Sequence, residues 1–466
     1  MSNNLMAGAG GAHITPPIGF PMGGYGARDH GAEGVHDQLN AHALFIDDGS
    51  TQVLVIASDL LGLRAPQVAR VRELVTNATG VPGSHVFLAC SHTHGGPLMY
   101  SDFAGFSAGH EAYLETLYHY MAGAAQQAAH AAIPVCYGHA RKEVRLGANR
   151  REHQADGTTK IGVDLVAPVA PWTDVICFDR ADGSGTLALL YQHAVHGTCL
   201  QGDNYQFTAD TMGYAMRLIE AQLESSTALF LNGCAGNINP HPRGTFSLAR
   251  RHGTRLGAAV LQAVTEIADF RVEGRLSCIQ HECELPLEDP RPLEECERDL
   301  AEIEPEYLAL GGAHHRNWTL SRRYFAAKSQ VEAARSGQPA SGLPIEIQVL
   351  ALDDLALVSL PGEIFVETGF AICDSSPFEV TLPVGYANGS IGYVPTLEEV
   401  PFGGYEVGEA RARYQGRRIR DDADRVLVDG ALAALRRAAD GESRRRGLAR
   451  LDDAANPHKI DAGTGR

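Results

Sequence analysis

No stretch of this 466-residue chain approaches the roughly 18–20 consecutive apolar residues that a membrane span requires, so no stable membrane insertion is expected. The opening segment MSNNLMAGAGGAHITPP has no basic region leading into an apolar run, so no secretory signal is expected either. Positive charge is also scarce: the net charge is −17. Nucleic-acid partners need Lys/Arg-rich faces to neutralise phosphate, and that class is set aside. The nine cysteines are odd in number and never spaced as CxxC. Cys90 and Cys177 fall inside apolar runs, where a thiol behaves as a small buried hydrophobe. A disulfide framework is therefore not expected, and a reducing cytoplasm fits. HExxH, GxSxG, Walker A and a strand-borne GxGxxG are all absent; the glycines at 8–11 do not follow a strand and carry little weight.

What is present is an alternation of short apolar runs and amphipathic stretches. QVLVIASD (52–59) reads as a strand leading to a helix in PQVARVRELVTNA (66–78) and a second strand in HVFLAC (85–90). A helix is expected over 111–132. The pattern resumes with strands DVICFD (174–179) and TLALLYQHAV (186–195), a helix over 212–224, the strand TALFLN (227–232) and a helix over 247–268. These βαβ signatures predict an α/β fold, a mixed sheet flanked by helices. Residues 284–337 are charge-rich and helical, read as an insertion able to act as a lid or as a solvated helix pair. IEIQVLALDD and LALVSLPG read as a hairpin with a tight polar turn. The long segments 142–172 and 385–425 read as loops, functional or disordered. The division expected is a hydrolase domain over 1–430, then a C-terminal helix and polar tail over 431–466, disordered beyond Pro457.

Polar residues collect where the apolar runs end. Asp59, His92 and His94, His196, Asn237 and Asn239, and Glu363 each follow a strand. In α/β sheets the ligand crevice lies beyond the carboxyl ends of the strands, so together these residues predict one polar pocket. In an extended His92-Thr93-His94 both imidazoles face one side, and Gly95-Gly96-Pro97 allows close backbone approach to a ligand. His193, within its apolar run, reads as a structural partner. Imidazole plus carboxylate is a first-row metal set, best suited to zinc; iron(II) and manganese stay open. Catalytic zinc keeps a position for water and lowers its pKa toward about 7.

Four segments, CSHTHGGP (90–97), HAVHGT (193–198), LPGEIF (360–365) and ANGSIGYVPTLEEV (387–400), resemble the catalytic amidase domain of the neutral/alkaline ceramidase family. The likeness runs from AGAGGAHITPPIGFPMGGYG to about residue 430. It implies a zinc ion held by His92, His196, Glu363 and Tyr393, with His94 beside it as a catalytic group. ANRRE (148–152) resembles the family's Asn-Arg segment and implies Arg150 near the pocket; FGGYEV (402–407) implies a second pocket tyrosine, Tyr405. CAGNINP (234–240) aligns with a segment bearing a serine where this chain has Asn239, which can still donate a hydrogen bond. The family's extra β-sandwich domain has no counterpart expected here. The activity implied is hydrolysis of a C–N bond; the departures from the family move the expected substrate from ceramide to a small soluble amide. N-acylsphingosine, an ester or a lactam are the alternatives, and a non-catalytic metal-binding module is the alternative outside the enzymes.

Overall fold

The computed structural model describes residues 4–100, 108–311, 318–337 and 342–454. The tail beyond Pro457 lies outside the described residues. Twelve strands form two sheets: β1 (Met6–His13), β2 (Asn40–Asp47), β3 (Gln52–Ser58), β4 (Val86–Cys90), β5 (Ile133–Glu143), β6 (Trp172–Arg180), β7 (Thr186–His193) and β8 (Thr227–Asn232) in the larger, and β9 (Leu276–Leu285), β10 (Leu343–Leu352), β11 (Leu355–Ser359) and β12 (Val380–Val384) in the smaller. The first sheet has the order β8-β7-β6-β5-β1-β2-β3-β4, the second β9-β10-β11-β12. Both are mixed. β3 and β4 run parallel around α1 (Ala65–Thr79), and β7 and β8 run parallel around α3 (Asp210–Gln222), the two βαβ units expected.

Helix α1 shows why these boundaries fall where they do. Pro66 sits in its first turn, the Gln67 side chain reaches back to the Arg64 amide at 2.9 Å, and Gly80 closes it in the left-handed conformation. α2 (Ala108–His130) and α4 (Phe246–Glu266) join α1 and α3 on one face of the large sheet. The other face packs on the small sheet through Leu44, Val55, Phe87, Ile176, Leu190, Leu350 and Leu357. α7 (Val366–Asp374) and α8 (Ala423–Ala454) cover the small sheet's far side, making four layers where the sequence suggested one sheet. α8 begins before residue 430 and buries Leu427, Ala431 and Leu435, so it packs as part of the body. The expected helical insertion is a pair, α5 (Leu293–Leu308) and α6 (Trp318–Ser336), joined through a Tyr307–Tyr324 stack at 3.8 Å.

One reading is sharpened and one corrected. The glycines at 8–11 lie in β1, and a Cβ at Gly8 or Gly10 would stand 2.1 or 2.3 Å from a backbone oxygen of α2. The segment 142–172 is not simply loop: Gly147–His153 pairs with Thr159–Asp164 as a hairpin and, on its other edge, with Ile238–Pro240. The large sheet also curls. His42 Nδ1 of β2 meets the Ala228 carbonyl of β8 at 3.0 Å, and the Asn232 amide donates to the Ser91 carbonyl at 3.0 Å. The curl brings the ends of β4 and β8, opposite edges of the sheet order, into contact.

Candidate metal centre

That contact, together with the docking of the second sheet, assembles the site. The chain leaves β4 at Cys90 and enters His92 with φ +58°, a left-handed conformation uncommon for a residue with a side chain. The extended geometry expected for His92-Thr93-His94 is therefore not what aims the rings. The turn does so instead, and the two imidazoles still face each other, with Nε2 atoms 3.3 Å apart. Tyr386, also left-handed at φ +55°, stacks on His92 at 4.0 Å. Backbone strain of this kind persists only where surrounding packing over-determines it.

His196 follows β7, and its backbone neighbour Gly197 lies so near the His92 carbonyl that a Cβ would be 2.5 Å from it. Glu363 comes from the second sheet: Glu363–Ile364 pairs in parallel with Tyr393–Val394, setting Glu363 directly opposite Tyr393. Glu363 Oε2 lies 3.2 Å from His92 Nε2 and 3.1 Å from His196 Nε2; the Tyr393 hydroxyl lies 3.2 Å from His196 Nε2.

The outer nitrogens decide what these contacts mean. His92 Nδ1 meets the Leu61 carbonyl at 2.6 Å and His196 Nδ1 the Ala235 carbonyl at 2.6 Å. A carbonyl only accepts, so each Nδ1 carries the proton and each Nε2 turns a lone pair inward. Burial first, then Arg150, holds the His196 pKa down to about 4, so its ring is neutral at pH 7. Burial alone would raise the Glu363 carboxyl, but His92 and His196 outweigh it and hold it well below the ordinary value. The two Nε2 lone pairs and the Glu363 carboxylate thus converge at 3.1–3.2 Å. Arg150 Nη1 donates to His196 Nε2 at 3.3 Å, so the protein's own cation reaches one edge of the cluster, and its centre suits a metal ion. The cluster's donor atoms are spaced about as ligands of a tetrahedral zinc would be, roughly 3.3 Å apart. The buried group His92, His94 and His196 can hold a metal ion.

Around this cluster, Arg150 on the Gly147–His153 strand donates to the Tyr393 hydroxyl at 2.8 Å and to Asn239 Oδ1 at 3.4 Å. Asn239 Oδ1 also accepts from Thr198 at 3.1 Å, which leaves its NH2 group directed elsewhere. Tyr393 is raised well above the ordinary phenol value by burial, against the opposing pull of Arg150. Tyr405 sits 5.7 Å from the Tyr393 ring and is raised by burial as well. His92, His94, His196, Glu363, Tyr393, Arg150, Asn239 and Tyr405 therefore lie in or beside one site.

Others do not. Asp59 accepts the Asn40 amide at 2.9 Å in a small cavity lined by His42 and Ser91, and burial pushes its carboxyl up to about 7. Asn237 bonds the Val366 amide and Glu367, a structural clip at the start of α7. His193 is buried against the Trp172 carbonyl, in the structural place expected of it. The sequence reading missed Glu406, which pairs with Arg150 at 2.7 Å and Arg151 at 2.9 Å; an acid beside Tyr405 and a tandem arginine were the available signals. It also missed Arg28, whose Nη1 holds the Gly23 and His94 carbonyls.

Residues 5–248, just over half of the chain, match the family described as neutral/alkaline non-lysosomal ceramidase, N-terminal. The chain belongs to this family. It is thereby an amide hydrolase of ceramidase type. Its fold is similar to that of neutral ceramidase from Pseudomonas aeruginosa, at 21% identity and a TM-score of 0.70 over 94% of this chain and 75% of that one. A ceramidase complexed with C2 is similar at 19% identity and a TM-score of 0.71, over 93% of this chain and 76% of that one. Among the described residues of this ceramidase-family member, no helix is long and apolar enough to cross a membrane.

Proposed function

We propose that this ceramidase-family protein is a zinc-dependent hydrolase cleaving the C–N bond of a small soluble amide. The observation that carries the metal is the ring of inward-facing acceptors, with the His92 and His196 tautomers fixed by the Leu61 and Ala235 carbonyls. His92, His196, Glu363 and Tyr393 would hold the ion. When bound, it supplies Lewis-acid polarisation of the scissile carbonyl and acidifies a water toward neutral pH.

The protein's own groups do the rest. His94 Nδ1 is buried without a hydrogen-bond partner, so neither tautomer is locked, unlike in the other two histidines. That freedom suits a group that takes a proton from water and returns one to the leaving nitrogen. Arg150 fixes the Tyr393 hydroxyl, and the Asn239 NH2, its oxygen already taken by Arg150 and Thr198, would hydrogen-bond the carbonyl oxygen as it gains charge. Tyr405 stands at the rim as a donor to substrate. Nine free thiols suit a cytoplasmic enzyme.

Asn239, standing where the resemblance expects a serine, favours a substrate other than ceramide. Hydrolysis of N-acylsphingosine is the second reading, favoured by the family itself. Elemental analysis and turnover of wild type and His196→Ala test the mechanism: both zinc and activity are expected to disappear. Retained zinc with full activity in that variant overturns it. A panel of short N-acyl amines, esters, lactams and N-acylsphingosine, run on the wild type, then separates the two substrate readings.

A further inference from the structure

The α5–α6 pair is joined to the body of the protein by a seam that carries more charge than packing needs. Arg413–Tyr414 and Arg417–Arg418 form a short hairpin, with Gln415 and Gly416 at φ +48° and +77°. Positive φ at both central residues is the geometry of a type I′ turn. The turn docks on α6 so tightly that a Cβ on Gly416 would stand 2.2 Å from the Ser329 carbonyl. Beside this contact lies a cleft of about 210 Å³, lined by Gln330 of α6 and Arg291 just before α5, and by Glu288, Arg413, Arg417 and Arg418.

In a chain of net charge −17, four guanidinium groups line this one cleft. Of its two acids, Glu288 accepts from Arg418 at 3.1 Å, and Asp289 is outnumbered by the guanidinium groups. Arg291 is held by Asp299 at 2.7 Å and Gln330 at 3.2 Å. Arg413 differs. Among the described residues its guanidinium has no hydrogen-bond or ion-pair partner; Arg418, Arg322 and Arg411 press on it with like charge, and Glu288, already bonded to Arg418, opposes them. A half-buried guanidinium without an acceptor is costly, and burial together with these neighbours pushes its pKa down to about 10.

We propose that this cleft binds a small tetrahedral oxyanion of the phosphate class, with Arg413 as its principal donor. The planar fork of arginine matches phosphate oxygens bidentately, which a lone ammonium does not. The volume lies below the roughly 300–1,000 Å³ of pockets that enclose drug-sized ligands, and the lining has no aromatic ring to stack a base. The ligand is therefore inorganic phosphate or the phosphate of a small monoester. Its place gives it a consequence. Just before the hairpin, Ala410 and Ala412 bracket Tyr393 through backbone bonds of 3.2 and 2.9 Å, and Arg322 of α6 lies beside Tyr405. An anion across the seam fixes the helical pair against the segment that carries both pocket tyrosines.

Titration of the metal-loaded full chain with inorganic phosphate by calorimetry, against chloride at constant ionic strength, tests this. Saturable binding is expected in the wild type and about tenfold or more weaker binding in Arg413→Ala, with partial recovery in Arg413→Lys. Arg413→Gln gives the same reading if the alanine variant does not fold. Because a metal can also take phosphate, the titration is repeated on His196→Ala, where binding at the seam is expected to persist. Absence of saturable binding in the wild type overturns the proposal. So does binding that survives in Arg413→Ala and Arg413→Gln, or that disappears in His196→Ala alone.

Discussion

Arg150 and Arg151 sit side by side at 5% and 2% exposure, and the buried Glu406 carboxylate pairs with both. Removing that charge leaves two buried guanidinium groups, of which only Arg151 keeps a second carboxylate, Glu399 at 2.6 Å. Breaking a buried pair by deleting one partner typically costs about 3–5 kcal/mol, far more than the pair's net worth against an apolar replacement. Glu406→Gln is therefore expected to lower unfolding stability by that order in urea titrations, and to reduce turnover because Arg150 no longer holds the Tyr393 hydroxyl in place. Asp59 presents the opposite case, a buried acid with no cation bonded to it. Its pKa is about 7 in the fold, above the 3.8 of a free carboxyl, chiefly through desolvation. A raised folded pKa means that its contribution to stability is full below about pH 4 and is lost as pH rises to about 7, at roughly 1.4 kcal/mol per unit. Asp59→Asn cannot ionise. The stability of the wild type relative to this variant should therefore fall between about pH 4 and about pH 7 and level off above; a difference that stays flat across that window would contradict the assignment.

At the scale of elements, the strands that are legible in the sequence are those built from Val, Ile, Leu and Phe, such as β3, β4, β7 and β8. β1 is not legible. Its sequence MAGAGGAH has almost no β propensity, and it is a strand because β2 and β5 flank it and because Gly8 and Gly10 let α2 come down onto the sheet. Since these two glycines share one face of the strand, the helix contact selects them as a pair. Gly8→Ala is thus expected to destabilise by about 1–3 kcal/mol or more through overpacking, although alanine is otherwise the better strand residue; equilibrium unfolding reads it directly. The hairpin carrying Arg150 was hidden for another reason. Its strands GANRREH and TKIGVD alternate poorly, and the first is tied to a distant segment by side-chain ion pairs such as Arg151–Glu399 that no local pattern announces. The ends of strands β4, β7 and β11 did announce the site, because parallel strands within βαβ units must deliver their next residues to one edge. Tyr393 could come only from the family resemblance: its position depends on the pairing of Glu363 with Tyr393 across a 30-residue separation.

Taken as a whole, the molecule places its candidate ligands on two parts that share an apolar core, with polar ties such as Arg72–Glu346 and the Leu88 amide to Asn388 between them. His92 and His196 extend from the large sheet, whereas Glu363 and Tyr393 belong to segments that follow and flank the small one. A bound ion would draw the Glu363 charge and the two imidazoles onto one centre, adding a link between these parts. Metal binding should therefore act as a clamp between the sheets at their active edge. By mass action, a ligand bound only by the folded state at a hundredfold its Kd adds about 2.7 kcal/mol of stability. Dialysis against a chelator is accordingly expected to abolish turnover and to lower the melting temperature by several degrees. Returning zinc should restore both, with a melting temperature that climbs with free zinc concentration. In His92→Ala that climb should be absent or much weakened, since one clamp residue is missing while the core between the sheets is untouched. If the chelated protein melted at the same temperature as the zinc-loaded one, the site would not span the two sheets in the way its geometry requires.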